Sequence, residues 1–188
     1  MFPPFLAHDF DEASLDASPS SIAALDKDGV IHWVNRAWQR RAAEQKLAGP
    51  LTKRSYFDAI ADPLRAFYER AFGHASATQT VFECDYECPT PEEQRTFRLR
   101  VLPIKEDGLL VEHSLVAATA AGPGQEALEE RYVDGRGFFT QCANCRRVRH
   151  PPTQAWHWIP EWVERMSARM SHGICPPCAG YFWGTRRR

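Results

Sequence analysis

Residues 21–35 read SIAALDKDGVIHWVN, and the order of features in them decides the kind of fold to expect. Ser21 to Leu25 is a short apolar run that reads as a strand. Asp26-Lys27-Asp28-Gly29 is a turn, with Gly29 supplying a permissive backbone. Val30 to Val34 reads as the returning strand. Asn35 stands where it can cap a helix over Arg36–Lys46, and Gly49-Pro50 ends that helix.

Downstream, Leu64, Phe67, Tyr68 and Ala71 recur at helical spacing and predict a second helix from about Pro63 to Gly73. Phe82, Cys84, Tyr86 and Cys88 alternate with acidic residues, the period-two signature of a half-buried strand. Pro89 to Glu93 is a turn, and Phe97, Leu99 and Val101 alternate with Arg98 and Arg100. Asp107-Gly108 is a further turn, and Leu109 to Val116 is the last strand of the series. Ala117 to Gly124 loses the pattern and reads as a linker, with a short acidic helix over Gln125–Tyr132. Strand pairs joined by short turns favour antiparallel pairing. The expected fold is therefore α+β: an antiparallel sheet with helices on one face, followed by a small C-terminal module. Residues 1–18 read as a lead-in turn or helix.

The stretch Ile22–Asn35 resembles the opening of a PAS domain, in which a strand, an Asp-Gly turn and a strand ending in Asn lead into a helix. Phe82, Tyr86, Cys88, Glu92, Glu93, Arg95, Phe97, Val101, Pro103, Val111 and His113 are similar to the second half of one bacterial PAS subgroup. Thr96, Glu87 and Thr90 stand where that subgroup has Trp, Pro and Ser. The resemblance covers residues 19–119 and implies a sensor domain, with a small ligand or a protein interface as its business and a homodimer through the domain. His113 shares strand parity with Leu109 and Val111, so it is expected to face the interior. With Tyr86 and Phe97 it is a candidate for a ligand pocket, although a hydrogen-bonded core histidine is the plainer reading.

The second decisive feature is the pair Cys142-Ala-Asn-Cys145 and Cys175-Pro-Pro-Cys178. Each Cys-x-x-Cys turn can place two thiolates on one ion, and two turns complete a tetrahedron. Soft sulfur ligands select zinc over hard cations, with iron still compatible. The expectation is one structural zinc per chain. A catalytic zinc keeps an open coordination position, and four cysteines leave none. A redox dithiol is the alternative for either pair alone. The 29 residues between the pairs must form structure of their own, and Trp162, Met166 and Arg169 suggest a helix over Pro160–Met170. His172, three residues before Cys175, is expected beside the metal, hydrogen bonding near the knuckle. Trp156, Trp158, Trp162 and Trp183 concentrate in this segment and read mainly as core. Cys84 and Cys88 are about 13 Å apart along an extended strand and read as small apolar core groups.

The segment from Arg136 on also resembles a short bacterial cysteine module found near sensor domains. The match rests on Cys142, Cys145, Arg146, Arg147, Val148, Arg149, Trp158, Ser171, His172, Gly173, Ile174, Cys175, Pro176 and Cys178. The family's acidic turn after the Arg is replaced here by His150 to Thr153. Together the two resemblances imply a signalling protein with residues 19–119 as sensor, 120–135 as linker and 136–188 as zinc module.

Charge divides the chain the same way. Residues 136–188 hold nine arginines, no lysine and two acids, a charge of +7, against −8 for residues 1–135. Arg146, Arg147 and Arg149 follow the first knuckle, so metal binding would fix their place. They are candidate contacts to an acidic protein partner or, as the competing reading, to nucleic acid, with Arg186–Arg188 adding to the basic face. Composition, with 44% hydrophobic and 25% charged residues, is globular. The opening residues lack the basic and apolar regions of a secretory signal, and no run is long enough to span a membrane. The cytoplasm is the expected compartment, where six cysteines are thiols or metal ligands more often than disulfides. No phosphate-binding glycine loop, nucleophile elbow or zinc-protease helix motif is present, which argues against an enzyme.

Overall fold

A computed structural model describes residues 2–184 apart from 46, 48, 105–107 and 166. The expected helix end at Lys46, the Asp107 turn position, Met166 and Arg186–Arg188 therefore lie outside the described residues. The chain divides into two compact units. The first comprises Met1–Ile60, Tyr68–Asp85 and Phe97–Leu115; the second comprises Ala61–Phe67, Tyr86–Thr96 and Val116–Arg188.

The first element is helix α1 (Glu12–Ala17), then strands β1 (Ser21–Leu25) and β2 (Ile31–Val34) and helix α2 (Arg36–Glu44). Helix α3 (Leu64–Thr78) precedes β3 (Phe82–Glu87), β4 (Glu93–Ile104) and β5 (Gly108–Ala120). The strands form a five-stranded sheet in the order β2-β1-β5-β4-β3, with β1 antiparallel to both β2 and β5. The fold is α+β, with the strand-turn-strand-helix opening that the sequence predicts.

The opening motif works as its residues suggest. Asp26 Oδ1 accepts the backbone N–H groups of Asp28 and Val30, each at 2.9 Å, which closes the turn. Gly29 has φ +80°, and a Cβ there would lie 2.6 Å from the Phe57 ring, so both conformation and space require glycine. Asn35 is fully buried. Its Oδ1 accepts the N–H of Ile22 and of Trp38, both at 3.0 Å. Its Nδ2 donates to the carbonyls of Leu15 at 3.0 Å and Ser20 at 2.9 Å. One amide thus caps α2 and pins β1 and the chain before it.

Register assigns the two faces of the sheet. Ala23 and Leu25 stand opposite Val111 and Leu109, and Ser21 opposite His113. This puts His113 on the face shared with Val111 and Leu109. The other face is covered by the chain's own start: Leu6, Ile22, Ala24, Trp33, Ile104 and Leu110 form a buried cluster joined by Phe2, Phe5, Phe10 and Leu15. What reads in sequence as a lead-in is a piece of core.

Several expected bounds move, among them β4, which opens at Glu93 within the expected turn. Helix α3 passes Gly73 and reaches Thr78, because Ala75, at 1% exposed, continues the buried stripe of Leu64, Tyr68 and Phe72. Strand β5 continues to Ala120 rather than ending at Val116. Its last six residues are exposed, so no alternation marks them, and pairing extends past them: Ala121 N–H donates to the Glu92 carbonyl at 2.7 Å. The acidic helix contracts to α4 (Glu129–Tyr132), with Leu128 before it extended and Gln125 N–H donating to the Trp158 carbonyl at 2.8 Å.

In the second unit, β6 (Phe139–Cys142), β7 (Val148–Arg149), β8 (Trp156–His157) and β9 (Met170–Gly173) form a sheet in the order β8-β7-β6-β9. The β6–β9 pair is parallel. Tyr132, Phe139, Val148, Ile159 and Trp162 make its apolar core. The helix expected over Pro160–Met170 is corrected: α5 holds only Glu161–Glu164, and Met170 opens β9 opposite Phe139. The helix already ends at Arg165, which leaves helical backbone geometry, and Ser167 then turns the chain into β9, its carbonyl accepting Met170 N–H at 2.9 Å and its Oγ accepting Arg169 N–H at 3.2 Å. Tertiary strand pairing overrides helical spacing here. Of the four clustered tryptophans, Trp162 is core, Trp156 and Trp158 are half-buried, and Trp183 is exposed at 42%. The last element is α6 (Pro176–Trp183).

Candidate metal centre

The parallel β6–β9 pair brings the two cysteine turns together, because Cys142 at the end of β6 stands opposite Gly173, two residues before Cys175. Gly173 is packed there against Thr140, whose Cγ2 would lie 2.9 Å from an added Cβ. The first knuckle is closed by the Arg146 N–H donating to the Cys142 carbonyl at 3.1 Å and the Cys142 N–H donating to the Arg147 carbonyl at 2.8 Å. Arg146 takes a left-handed φ of +61° to make that turn. In the second knuckle Cys175 is the N-cap of α6 and Pro176 fills its first turn, where the missing N–H costs nothing.

All four sulfurs lie within 4.8 Å of one another, with Cys145 and Cys175 Sγ at 3.6 Å. The four residues are between 0% and 6% exposed and carry Trp156 and Ile174 against them. Sulfurs bound at about 2.3 Å to a tetrahedral ion sit about 3.8 Å apart, so the cluster fits a metal ion. Burial and spacing also make the cluster uncomfortable as free thiols. Hydrogen bonds from Cys145 and then Cys178 hold the Cys142 thiol far below its usual range, while the Cys142 sulfur drives Cys145 far above it. A cation removes that conflict by replacing the protons.

N–H groups point at the sulfurs: Cys175 N–H at Cys142 Sγ, 3.4 Å, and Asn144 Nδ2 at Cys178 Sγ, 3.3 Å, while the Cys145 and Arg147 backbone N–H groups favour the thiolates of Cys142 and Cys145. Asn144 was not singled out by sequence reasoning. The signal was a buried-type polar residue inside a Cys-x-x-Cys turn. His172, expected beside the metal, stands in β9 opposite Gln141 and is half-buried. Burial, then the Arg146 charge, lowers its pKa.

The three arginines after the knuckle are half-buried. Arg146 donates to Gln141 Oε1 at 3.4 Å, Arg149 hydrogen-bonds Gln154, and the Arg147 charge acts on Glu87. Cys84 is buried, its thiol 4.0 Å from the Tyr68 hydroxyl, and Cys88 is half-buried.

Of the candidate pocket residues, Phe97 and His113 stand in the first unit and Tyr86 in the second. Arg41 connects the first two. Its guanidinium lies 4.0 Å over the Phe97 ring. Burial, with the Arg41 charge adding, pushes the His113 imidazole down to about 3. His113 Nε2 is 3.1 Å from the Tyr56 hydroxyl, and Trp38 meets the ring edge-on at 5.4 Å. Trp38, Arg41 and Tyr56 were not predicted as neighbours of His113; no local pattern joins them.

The family model described as PAS fold matches residues 15–121, more than half of the chain, and the chain belongs to that family. Among solved structures, a domain of an HTR-like protein from Haloarcula marismortui is 17% identical, with TM-score 0.41, over 53% of this chain and 100% of that one. The photoactive yellow protein domain of the sensor histidine kinase Ppr from Rhodospirillum centenum is 19% identical, with TM-score 0.41, over 60% and 99%. The Vibrio cholerae VqmA dimer is 12% identical, with TM-score 0.42, over 68% and 55%. No curated protein matches the chain. Among the described residues no helix is long and apolar enough to cross a membrane.

Proposed function

We propose that this chain is a non-catalytic, cytoplasmic signalling protein. Its PAS module, residues 19–119, senses a small ligand or forms a protein interface, including a homodimer. A linker over 120–135 joins it to a zinc module over 136–188, and that module passes the signal to a protein partner. The observation that carries this reading is the buried cluster of four sulfurs within 4.8 Å in a chain of the PAS fold family. Cys142, Cys145, Cys175 and Cys178 would hold one structural zinc, with His172 close by. Zinc would neutralise the clustered thiolates and fix the two knuckles; with four protein ligands it offers no open position for catalysis. The resemblance of this segment to a sensor-associated cysteine module supports the same role.

The basic charge of residues 136–188 favours a second reading, a nucleic-acid-binding regulator. Arg146 and Arg149 are hydrogen-bonded to Gln141 and Gln154, which bears equally on both readings, so the charge alone does not choose between them. A salt titration with duplex and single-stranded DNA separates the two. Weak, non-specific binding lost near about 0.15 M salt is expected. Sequence-selective binding that survives that salt, and is abolished by Arg146→Ala with Arg147→Ala, would establish the regulator instead.

A further inference from the structure

Asn144 is 6% exposed, and its carboxamide is used at both ends. Oδ1 accepts the backbone N–H of Glu87 at 3.0 Å, and Nδ2 donates to Cys178 Sγ at 3.3 Å. The orientation is forced, because a backbone N–H can only donate: the oxygen must face Glu87 and the amino group must face the sulfur. Such N–H···S bonds strengthen when the sulfur is a thiolate.

Glu87 is the last residue of β3, the edge strand of the five-stranded sheet. N–H groups along an antiparallel strand point alternately toward the partner and away. Cys88 N–H donates to the Arg95 carbonyl at 2.9 Å, so the Glu87 N–H points off the open edge. An edge strand usually leaves such groups to water or to another chain. Here the cysteine knuckle supplies the acceptor. Glu87, Asn144 and Cys178 all belong to the second compact unit.

We propose that Asn144 is a positioning residue that makes the order of the β3 edge depend on the state of the four-cysteine site. With metal bound, the sulfurs are fixed, the carboxamide is held, and the Glu87 N–H is capped. Loss of the metal frees the knuckle, withdraws the cap and leaves the Glu87 N–H at the end of β3 to water. This rests on the reading of the cysteines as a metal site.

The test is residue-resolved amide hydrogen exchange on the full chain under reducing conditions, zinc-loaded and after chelation, with zinc content read by native mass spectrometry. In the zinc-loaded protein, Asn144→Ala should keep one zinc and accelerate Glu87 amide exchange by about tenfold, the loss of one hydrogen bond. Chelation of the unaltered chain should do the same. Asn144→Asp keeps the acceptor for Glu87 but sets a carboxylate against the sulfur. It should retain much of the Glu87 protection while losing zinc to chelator faster. Unchanged Glu87 exchange in zinc-loaded Asn144→Ala, or in the chelated chain while Ala143 and Cys145 amides open, would overturn the proposal and leave the metal reading intact. An unaltered chain that holds no zinc would sink the metal reading, and this proposal with it.

Discussion

Phe97 and Cys175 are buried to nearly the same depth, at 1% and 2% exposed, yet they hold their surroundings by different physics. Phe97 removes a large apolar side chain from water, worth about 1.5–3 kcal/mol, and Leu99, Val101, Val111 and Leu109, also buried, act likewise. Cys175 buries little apolar area. Its value depends on what joins the sulfurs. The PAS sheet draws on distributed hydrophobic burial plus a few saturated polar residues such as Asn35. The smaller C-terminal sheet has an apolar core of five buried residues, and in our reading it leans on one ion. Domains of that size usually need such a staple.

The comparison is most easily broken at the cysteines. Cys142→Ser or Cys175→Ser should release the metal and unfold the chain beyond about residue 136, since structural zinc sites hold about 10–16 kcal/mol of binding free energy. Hydrogen exchange should show β1, β4 and β5 still protected. Simultaneous loss of protection in both sheets would show that the two cores are one.

The converse substitution, Phe97→Ala, should cost about 3–5 kcal/mol in denaturant unfolding of the PAS sheet and leave zinc stoichiometry unchanged. Asn35→Ala should cost about 2 kcal/mol or more, because it removes a cap and strands the N–H of Ile22 and the carbonyls of Leu15 and Ser20. Loss much below 1 kcal/mol in either case would mean that the sheet is held elsewhere.

The smallest effect is a slope. His113 titrates near 3 in the folded protein against its usual 6.5, so between those values the unfolded chain binds the proton and the folded one does not. Stability should therefore fall as pH drops through that window, by at most about 1.4 kcal/mol per pH unit. His113→Gln keeps a polar partner for Tyr56 and should flatten the slope in PAS-sheet unfolding measured from pH 6.5 to 4. An unchanged slope would mean that His113 titrates normally.

Local chemistry was the legible part of this chain. The Asp26–Gly29 turn, the Asn35 cap, the alternation of β4 and the inward parity of His113 all follow from spacing within a few residues, whereas in β3 only Cys84 is buried. The convergence of Cys142, Cys145, Cys175 and Cys178 was legible too, because metal ligation needs so few geometries. What depends on distant pairing was hidden. Met170 reads as helix until Phe139 claims it for a parallel pair. Residues 117–120 of β5 are exposed, so burial writes no pattern into them. Leu6 and Phe5 cover the sheet from a stretch too short to show a period. Asn144 is one polar letter between two cysteines, and its partner Glu87 lies 57 residues away.

The four cysteines are tested most directly by native mass spectrometry of freshly purified, reduced protein. One zinc per chain, lost in Cys175→Ser and kept in Phe97→Ala, is the predicted result. A chain without stoichiometric metal, or full zinc retention in Cys175→Ser, would contradict it.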